Sequence, residues 1–322
     1  MVNNQPTAYL DYSGRDDVLS GGVKMIPIET SKGVFRVWTK RIGNHPTMKV
    51  LLLHGGPGAT HEYLEAFDSY FPSAGIEYYY YDQLGSAYSD QPNEPELVDL
   101  ERFVEEVEQV RKALGLDREN FYLYGQSWGG MLSIEYALKY QHHLKGLIIS
   151  NMMASGPLYN QYAKEVLMPG MDQAALAEIQ GYEEAGEYEN PRYMELLIEH
   201  HYIYHILRMP HKDWPDPVNR AFKNLNTAVY IPMQGPSELG ASGVLETWDR
   251  TADLAKITVP TLVIGAKYDT MDPKHMEWIS TTVQHGRYLY CPNGSHMALY
   301  DDQEIYFQGL IQFIQDVDAG RF

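Results

Sequence analysis

Short runs of apolar residues recur along the chain and predict the strands of a sheet. Two segments that alternate apolar and polar positions, 24–30 and 34–40, flank a turn at 31–33 and predict a hairpin at a sheet edge. The other runs are close to continuously apolar, which is typical of strands covered on both faces: 50–53, 77–82, 121–125, 147–150, 261–265 and 287–291. This pattern favours a mostly parallel sheet.

Helical periodicity separates the apolar runs. Between the runs at 77–82 and 121–125, apolar residues recur at steps of three or four: Leu97, Leu100, Val104, Val107, Val110 and Leu114. Gly115 marks the end of this predicted helix, and a last helix is expected near 302–317. Strands that alternate with helices predict an α/β fold with a doubly wound, mostly parallel sheet.

This alternation stops between Ser150 and Lys256. The stretch is rich in Tyr, Met and Glu, and its segment 193–207 has apolar residues at helical spacing. It is too long for a simple crossover, which usually needs one helix of about a dozen residues. We therefore predict an inserted helical cap at 151–256, between a first part of the core at 1–150 and a second part at 257–322.

The composition is that of a packed globular protein. Hydrophobic residues make up 44% of the 322 positions and charged residues 21%. With 43 acidic against 25 basic residues, the net charge of −18 would repel phosphate backbones and anionic lipid surfaces. Neither nucleic acid nor a membrane is therefore expected as a partner, and the sequence predicts no particular oligomeric state.

The cysteine content does not indicate a compartment, and the sequence contains no long apolar run. The single Cys291 excludes an intramolecular disulfide and a multi-cysteine metal cluster. The first ten residues lack the basic and apolar segments of a signal peptide, and no run of about 18 apolar residues occurs. A cytoplasmic location is the default expectation, although a targeting segment removed earlier is not excluded.

A GxSxG pattern lies in the segment FYLYGQSWGG and consists of Gly125, Ser127 and Gly129. It follows an apolar strand and precedes the helical stretch 131–140. This is the context of the nucleophile elbow of α/β hydrolases, a strained strand-to-helix turn that exposes a serine hydroxyl. We predict Ser127 as a nucleophile; the alternative is a glycine-rich turn whose serine caps the following helix.

A serine nucleophile needs a histidine base and a carboxylate, which in this fold follow in the order Ser, Asp or Glu, His. The segment AKYDTMDP after the strand 261–265 offers Asp269 and Asp272. Asp272 precedes Pro273, a pair typical of a helix N-cap, so Asp269 is the predicted acid. His296 follows the last strand and is the predicted base; the alternative is an ordinary loop histidine. Such chemistry needs neither a cofactor nor a metal.

Acyl transfer also needs two N–H donors for the tetrahedral oxyanion. One is expected from the residue after the nucleophile, Trp128, and the other from the glycine-rich loop in LLLHGGPG (51–58). Gly56 is the predicted second donor and Gly55 the fallback. The loop is not a phosphate-binding loop, because neither GxGxxG nor a following GK[ST] is present.

These motifs resemble the proline iminopeptidase (prolyl aminopeptidase) family of α/β hydrolases, close to its tricorn-interacting aminopeptidase and amino-acid amidase branch. The resemblance lies at HGGPG, DQLGSAYSD, GQSWGG, YDTMDP and NGSHMALYDD, and in the cap at 188–193, 213–218 and 234–240. It implies an α/β-hydrolase fold and release of N-terminal proline, or another small apolar residue, from short peptides through an acyl-enzyme. The roles it implies are a triad of Ser127, Asp269 and His296, an oxyanion hole of Gly56 and Trp128, and binding of the substrate's α-amino group by Glu238.

Two positions depart from the family pattern. Thr270 stands where these relatives often have a second amino-binding glutamate, and Ala87 and Tyr88 replace smaller or basic residues near the expected substrate end. Both departures leave the strictness of the proline preference open. Glu195 and Glu199 in the cap are alternatives for binding the amino group.

Three other functions compete with an aminopeptidase. The nearest is an amino-acid amidase or small-molecule esterase with the same triad, for which an aminoacyl amide is the substrate. A metal site is conceivable at His201 and His205, preceded by Glu199 and His200, but there is no HExxH pattern and no clear third ligand. A non-catalytic protein on the same fold is the third, and the complete triad argues against it.

Overall fold

The computed structural model describes residues 6–322 and is built around one eight-stranded sheet. The strands are β1 (Val23–Thr30), β2 (Gly33–Ile42), β3 (Lys49–Leu53), β4 (Glu77–Asp82), β5 (Phe121–Gln126), β6 (Gly146–Ser150), β7 (Thr261–Ala266) and β8 (Gly286–Cys291). Their spatial order is β1-β2-β4-β3-β5-β6-β7-β8. Only the β1–β2 and β2–β4 pairs are antiparallel; the other neighbours run parallel.

The central strands are buried along their whole length. In β3, Val50 to Leu53 pair with 78–81 of β4 on one side and with 122–125 of β5 on the other. All of these residues are buried, which explains why the sequence runs lack a polar face. The tyrosines of β4 are tolerated because their hydroxyls reach acceptors, as when Tyr80 donates to a carboxylate oxygen of Asp68 at 2.7 Å.

Helices cover both faces of the sheet and fill the long segment between β6 and β7. The α-helices are α1 (Pro6–Tyr9), α2 (Phe71–Ala74), α3 (Leu100–Leu114), α4 (Trp128–Tyr140), α5 (Gly156–Tyr162), α6 (Met168–Gly170), α7 (Gln173–Ala185), α8 (Pro191–Leu197), α9 (Ile203–His205), α10 (Asp216–Lys223), α11 (Thr227–Met233), α12 (Pro273–Thr282), α13 (Ala298–Asp301) and α14 (Gln303–Asp318). Turns of 3₁₀-helix lie at Val18–Ser20, His61–Ser69, Pro95–Leu97, Gln141–His143, His211–Asp213, Val244–Thr247 and Leu254–Lys256. Turns of π-helix lie at Ala163–Leu167 and Ile198–Tyr202. Within residues 6–322, no helix has both the length and the apolar character needed to cross a membrane.

Helix boundaries follow their capping residues. The helix expected from Leu97 begins at Leu100, because the side chain of Asp99 accepts a hydrogen bond from the Arg102 N–H and Leu97 belongs to a 3₁₀ turn. Gly115 ends this helix with φ 65°, in the left-handed region that favours glycine. The last helix is divided in two at Asp302.

The segment between β6 and β7 contains α5 to α11 and, apart from one isolated bridge between Ser155 and Asp249, no β-pairing in this described stretch. The predicted helix 193–207 is present, but a π turn at Ile198–Tyr202 interrupts it. The division into a core at 1–150 and 257–322 and a cap at 151–256 stays a prediction. The first five residues of the predicted core lie outside the described residues.

Hydrogen bonds fasten this helical segment above the loops at one end of the sheet. The Asn226 N–H donates to the Gly58 carbonyl at 2.8 Å, and its side-chain amide donates to the Gly85 carbonyl at 2.7 Å. On the opposite side, the N–H groups of His296 and Met297 donate to the carbonyls of His205 and Ile206 at 2.9 and 2.8 Å. The segment therefore touches the loops that follow β3, β4 and β8.

Candidate active site

Ser127 lies in the turn between β5 and α4, with φ 56° and ψ −126°. This is the left-handed side of backbone space, which residues other than glycine rarely adopt. The turn is closed by Gly125, where a Cβ would lie 1.9 Å from the Gly129 carbonyl oxygen. The Ser127 hydroxyl makes no capping bond to α4, so the alternative of a helix-capping serine is not met.

His296 and Asp269 form a buried pair next to this turn. The His296 Nδ1 lies 2.7 Å from the Asp269 Oδ1, and the Asp269 side chain is fully buried. Burial opposes protonation of the imidazole, but the charge of Asp269 and the hydrogen bond to it outweigh burial and raise the pKa of His296 above 6.5. The pair therefore has the geometry in which a carboxylate fixes the orientation of a histidine base.

The structure brings all three predicted triad residues together. Ser127 and His296 line one cavity, and Asp269 lies behind the histidine. Asp272 has a different role, because its side chain caps α12 by accepting a 2.9 Å hydrogen bond from the Lys274 N–H. Pro273 lies in the first turn of this helix, as expected. The geometry supports Asp269 over Asp272 as the acid.

Asn151 is a site residue that the sequence reasoning missed. Its side-chain amide donates to the Asp269 Oδ2 at 2.7 Å and to the Ser295 carbonyl at 3.2 Å. It is fully buried and has φ 52°, directly after β6. The available signal was its position at the carboxyl end of a predicted parallel strand, where ligand-binding and catalytic residues of α/β folds collect.

Two backbone N–H groups are free to serve as oxyanion donors. Among residues 6–322, the N–H groups of Gly56 and Trp128 have no acceptor within the protein. The fallback Gly55 is not available, because its N–H donates to the Tyr63 Oη at 2.7 Å. Gly56 has φ 110°, and a Cβ there would lie 2.6 Å from the Ala59 nitrogen, so this loop conformation requires glycine.

The cavity in front of Ser127 is small and mostly apolar. Its volume is about 160 Å³, smaller than the roughly 300–1,000 Å³ of sites for drug-sized ligands. The helical segment supplies most of its wall, including Tyr193, Tyr202, Phe222, Leu225, Tyr230 and Ile231. A ligand in this cavity would therefore be enclosed by aromatic and aliphatic side chains from the segment between β6 and β7.

Among residues 6–322, Glu238 is the one carboxylate that lines the cavity. It is half-buried, and its Oε1 accepts a 2.5 Å hydrogen bond from the Tyr230 hydroxyl. Burial raises the pKa of this carboxyl above its ordinary value. Since no lysine or arginine of residues 6–322 pairs with it, the Glu238 carboxylate can accept a cation from a ligand.

The other two glutamates considered for this role are wrongly placed. The side chains of Glu195 and Glu199 are 61% and 62% exposed, and neither lines the cavity. Glu195 pairs at 3.6 Å with Arg192 on the outer surface. For Glu199, helix periodicity alone could not show this exposure, because the π turn that contains this residue changes which residues face inward.

The positions that depart from the family pattern also lie apart from the cavity wall. The hydroxyl of Thr270 is 3.3 Å from the His296 Nδ1 and 3.4 Å from the Asp269 Oδ1, so it faces the triad pair. Tyr88 is 63% exposed and packs on the ring of Trp38, with centroids 5.2 Å apart. Tyr88 is therefore not among the residues that line the cavity, and its position at the substrate end stays a prediction.

The two histidines considered for a metal site have other partners. The His201 Nε2 lies 3.1 Å from the Glu238 carbonyl oxygen, and the His205 Nδ1 lies 2.9 Å from the Tyr268 carbonyl oxygen. In the part of the chain that the structure describes, no group of three or more metal-ligating side chains converges. His205 therefore fastens the helical segment to the loop after β7, whereas His201 forms a contact within the helical segment itself.

The family model and the relatives that match this chain agree with one another. Residues 49–303 match the family model described as the α/β hydrolase fold. Proline iminopeptidases of Flavobacterium johnsoniae and Elizabethkingia meningoseptica are each 58% identical to this chain, over 91% and 92% of it and 98% and 100% of their own lengths. The crystal structure of a Mycobacterium smegmatis proline iminopeptidase superposes with a TM-score of 0.81 at 26% identity, covering 93% of this chain and all of that one. The crystal structure of VinJ superposes with a TM-score of 0.84 at 27% identity, covering 91% of this chain and 99% of that one.

Proposed function

Because the chain belongs to the proline iminopeptidase family of α/β hydrolases, we propose that it is a serine aminopeptidase that releases N-terminal proline, or another small apolar residue, from short peptides. The relatives confirm the family, the fold and the enzyme class that the sequence predicted. The observation that carries the assignment to this chain is one unpaired carboxylate, Glu238, in an apolar cavity that also holds Ser127 and His296.

The proposed chemistry is acyl transfer through Ser127. His296 accepts the hydroxyl proton as the Ser127 oxygen attacks the carbonyl carbon of the first residue. The N–H groups of Gly56 and Trp128 stabilise the oxyanion, and Asp269 orients the imidazolium that forms. His296 then donates its proton to the leaving amine, and water hydrolyses the acyl-enzyme by the same route.

The cavity supports recognition of a free amino terminus. A buried ammonium must be paired, and a hydrogen bond between two charged groups is about twice as strong as a neutral one. Glu238 offers the carboxylate, while Tyr230 holds one of its oxygens at 2.5 Å and so fixes its orientation. The surrounding rings and aliphatic side chains suit a pyrrolidine ring or another small apolar side chain.

The cavity size limits the substrate to the end of a chain. A wall built from α8, α10 and α11 leaves about 160 Å³ beside Ser127, which suits one residue on the acyl side of the scissile bond. We therefore propose short peptides, or aminoacyl amides, as substrates. A cytoplasmic location forms part of this proposal, and fractionation of source cells tests it.

The proposal is tested with free and N-acetylated prolyl p-nitroanilides, together with prolyl amides and esters. We expect the unmodified enzyme to prefer the free amine strongly, because an acetylated nitrogen leaves the Glu238 carboxylate unpaired. Glu238→Gln should lower kcat/KM for the free amine by about 10- to 100-fold, the value of a hydrogen bond to a charged group. The substitution should also reduce the ratio of kcat/KM for the free amine to kcat/KM for the acetylated substrate.

Glu199→Gln is the matched control, because this glutamate of the helical segment is exposed and does not line the cavity. It should leave kcat/KM for both substrates within about twofold, as expected for a surface substitution. Equal cleavage of free and acetylated substrates by the unmodified enzyme would contradict the aminopeptidase proposal. In that case an esterase or amidase of small acyl compounds would take its place.

A further inference from the structure

A chain of three hydrogen bonds at the cavity wall joins the segments that carry the proposed catalytic groups. The Gly55 N–H donates to the Tyr63 Oη at 2.7 Å. The Tyr63 hydroxyl donates to the Gln126 Oε1 at 2.7 Å, and the Gln126 Nε2 donates to the His296 carbonyl oxygen at 2.9 Å. The triad mechanism itself uses none of these side-chain groups.

The direction of every bond in this chain is fixed by its ends. A backbone N–H such as that of Gly55 can only donate, and a backbone carbonyl such as that of His296 can only accept. The Tyr63 hydroxyl must therefore use its single proton toward Gln126, whose amide must present oxygen to Tyr63 and nitrogen to His296. Reversing the amide would leave two oxygens facing each other, so the side chain has one stable orientation.

These hydrogen bonds link positions that are far apart in sequence but adjacent to the proposed catalytic groups. Gly55 precedes the proposed oxyanion donor Gly56, Gln126 precedes the nucleophile Ser127, and the last acceptor belongs to His296 itself. The packing is tight, since a Cβ on Gly55 would lie 3.1 Å from the Ser127 Cβ and 3.2 Å from both the Gln126 Oε1 and the Tyr63 Oη.

Burial makes these bonds hard to replace. The side chains of Tyr63 and Gln126 are each 2% exposed, although both border the cavity. Loss of the Tyr63 hydroxyl would leave the Gly55 N–H and the Gln126 Oε1 without the partners that they have in this structure. The loops after β3 and β8 would then be free to shift relative to Ser127.

We propose that Tyr63 and Gln126 are positioning residues that hold the Gly56 N–H, the Ser127 hydroxyl and the His296 ring in register for acyl transfer. The inference rests on the proposed serine-hydrolase function, and it adds two side chains that do not touch the reacting atoms. Their action is through the backbone of Gly55 and of His296, so they should affect the transition state more than substrate binding.

The test compares Tyr63→Phe with Tyr122→Phe. Tyr122 is a matched control because it is equally buried, lies on β5 like Gln126, and donates one hydrogen bond, to the Ile314 carbonyl at 3.2 Å, away from the cavity. Tyr63→Phe should lower kcat for prolyl p-nitroanilide by about 10- to 100-fold, the effect of a misplacement of up to 1 Å, with KM within about threefold. Tyr122→Phe should lower the Tm and leave kcat unchanged.

A second readout does not need the substrate. A fluorophosphonate modifies the serine of a working triad, so its labelling rate reports the nucleophile, the base and the oxyanion donors together. Labelling of Tyr63→Phe should slow in parallel with kcat. No labelling of the unmodified enzyme would overturn the proposed function and this inference with it. Normal labelling of Tyr63→Phe, or a kcat within twofold of the unmodified enzyme, would overturn the positioning role alone.

Gln126→Met keeps the test decisive if Tyr63→Phe does not fold. This variant retains the length of the side chain and removes both polar atoms, and it should reproduce the loss of kcat at nearly constant KM. When both variants fold, the double variant should lose little more activity than either single one, because each breaks the same chain. Fully multiplicative losses, or a rise in KM at constant kcat, would overturn the inference.

Discussion

At the scale of single residues, His296 is held between two opposing influences. Burial favours the neutral imidazole, while Asp269 favours the imidazolium and raises the pKa above 6.5 overall. A raised pKa in the folded state stabilises the fold below the unfolded pKa, and this contribution is lost as the pH rises through the folded pKa. The neutral base that catalysis needs therefore forms at a small loss of stability.

The first prediction at this scale concerns pH. Because the base must be neutral, kcat/KM for prolyl p-nitroanilide should rise with pH through a midpoint above 6.5 and reach a plateau at mildly alkaline pH. Asp269→Asn should lower kcat by about 10⁴-fold, as loss of the orienting acid does in other triads. It should also move the midpoint to lower pH, because burial then acts with less opposition.

Asp272→Asn is the control for this pH series. Asp272 caps α12, and asparagine caps a helix nearly as well, so both kcat and the midpoint should stay close to those of the unmodified enzyme. Profiles of the unmodified enzyme and of the two variants are measured from about pH 3 to 10, a range that extends below the pKa expected for a histidine base. Maximal activity of the unmodified enzyme well below pH 5, or an Asp269→Asn profile with unchanged midpoint, would rule out the assigned pair.

The second prediction at this scale concerns the nucleophile. Ser127→Ala should lower kcat by about 10⁶-fold, the loss seen when a triad serine is removed. The Tm should change little, because the Ser127 side chain caps no helix. Ser133→Ala provides the control, since this buried serine of α4 donates only to the Gly130 carbonyl, at 2.8 Å. Turnover by Ser127→Ala at more than a trace would exclude the serine mechanism, as would inactivation of the unmodified enzyme by a chelator.

At the scale of elements, the sequence pattern predicted the strands and helix ends that depend on neighbouring residues. Each buried strand was placed to within one residue, because burial on both faces leaves an uninterrupted apolar run. The caps were equally readable: Asp272 with Pro273 begins α12, and Gly115 ends α3. Such signals depend only on residues that are neighbours in the chain, so they can be recognised in a single amino-acid sequence.

Features that depend on distant contacts were not predictable in the same way. Asn151 reaches Asp269 across 118 positions, and Gln126 reaches the His296 carbonyl across 170. No spacing rule links residues so far apart, and only the assembled sheet brings them together. The outward direction of Glu199 was missed for a related reason, because the π turn around it leaves no mark in apolar periodicity.

The prediction at this scale concerns how α10 is fastened to the helix His61–Ser69. Arg220 pairs with Glu62 at 2.7 Å, with Glu65 at 2.5 Å and with Asp216 at 2.7 Å. Its side chain is 35% exposed, so its pairs with the partly exposed Glu65 and the exposed Asp216 are each worth at most about 1 kcal/mol. Glu62 is only 6% exposed, but it keeps its hydrogen bonds from Thr60 and Asn224 when Arg220 is replaced. Arg220→Met should therefore lower the Tm by a few degrees, and most of that difference should vanish in 1 M NaCl, where the Debye length is about 3 Å.

Arg192→Met is the control for this substitution. Its side chain is 44% exposed, and its contacts with Glu178 and Glu195 are longer, at 3.4 and 3.6 Å. Thermal unfolding should show no measurable loss for this variant. A loss of Tm in Arg220→Met that persists in high salt would assign the effect to packing of the aliphatic part of the side chain rather than to charge.

At the scale of the whole molecule, a strongly acidic chain surrounds a small, largely apolar site. The net charge of −18 is spread over the sequence, whereas the cavity wall contributes one carboxylate, Glu238. Charge therefore acts on a substrate twice, over a long range during approach and at contact inside the cavity. Long-range attraction is screened by salt, while a buried contact is screened much less, so ionic strength separates the two.

The last prediction uses this difference. Prolyl-lysinamide, prolyl-glutaminamide and prolyl-glutamate amide share the residue that enters the cavity and differ only in the charge of the part that stays outside. At an ionic strength near 0.01 M, where the Debye length is about 30 Å, kcat/KM should fall in that order, because the acidic protein attracts the more cationic peptide. Raising the ionic strength to 1 M should bring the three values together, mainly through the lysine peptide. Since all three substrates place the same ammonium at Glu238, their common preference over N-acetylated peptides should persist in high salt. A ranking that salt does not alter would instead assign the discrimination to direct contacts with the residue after the scissile bond.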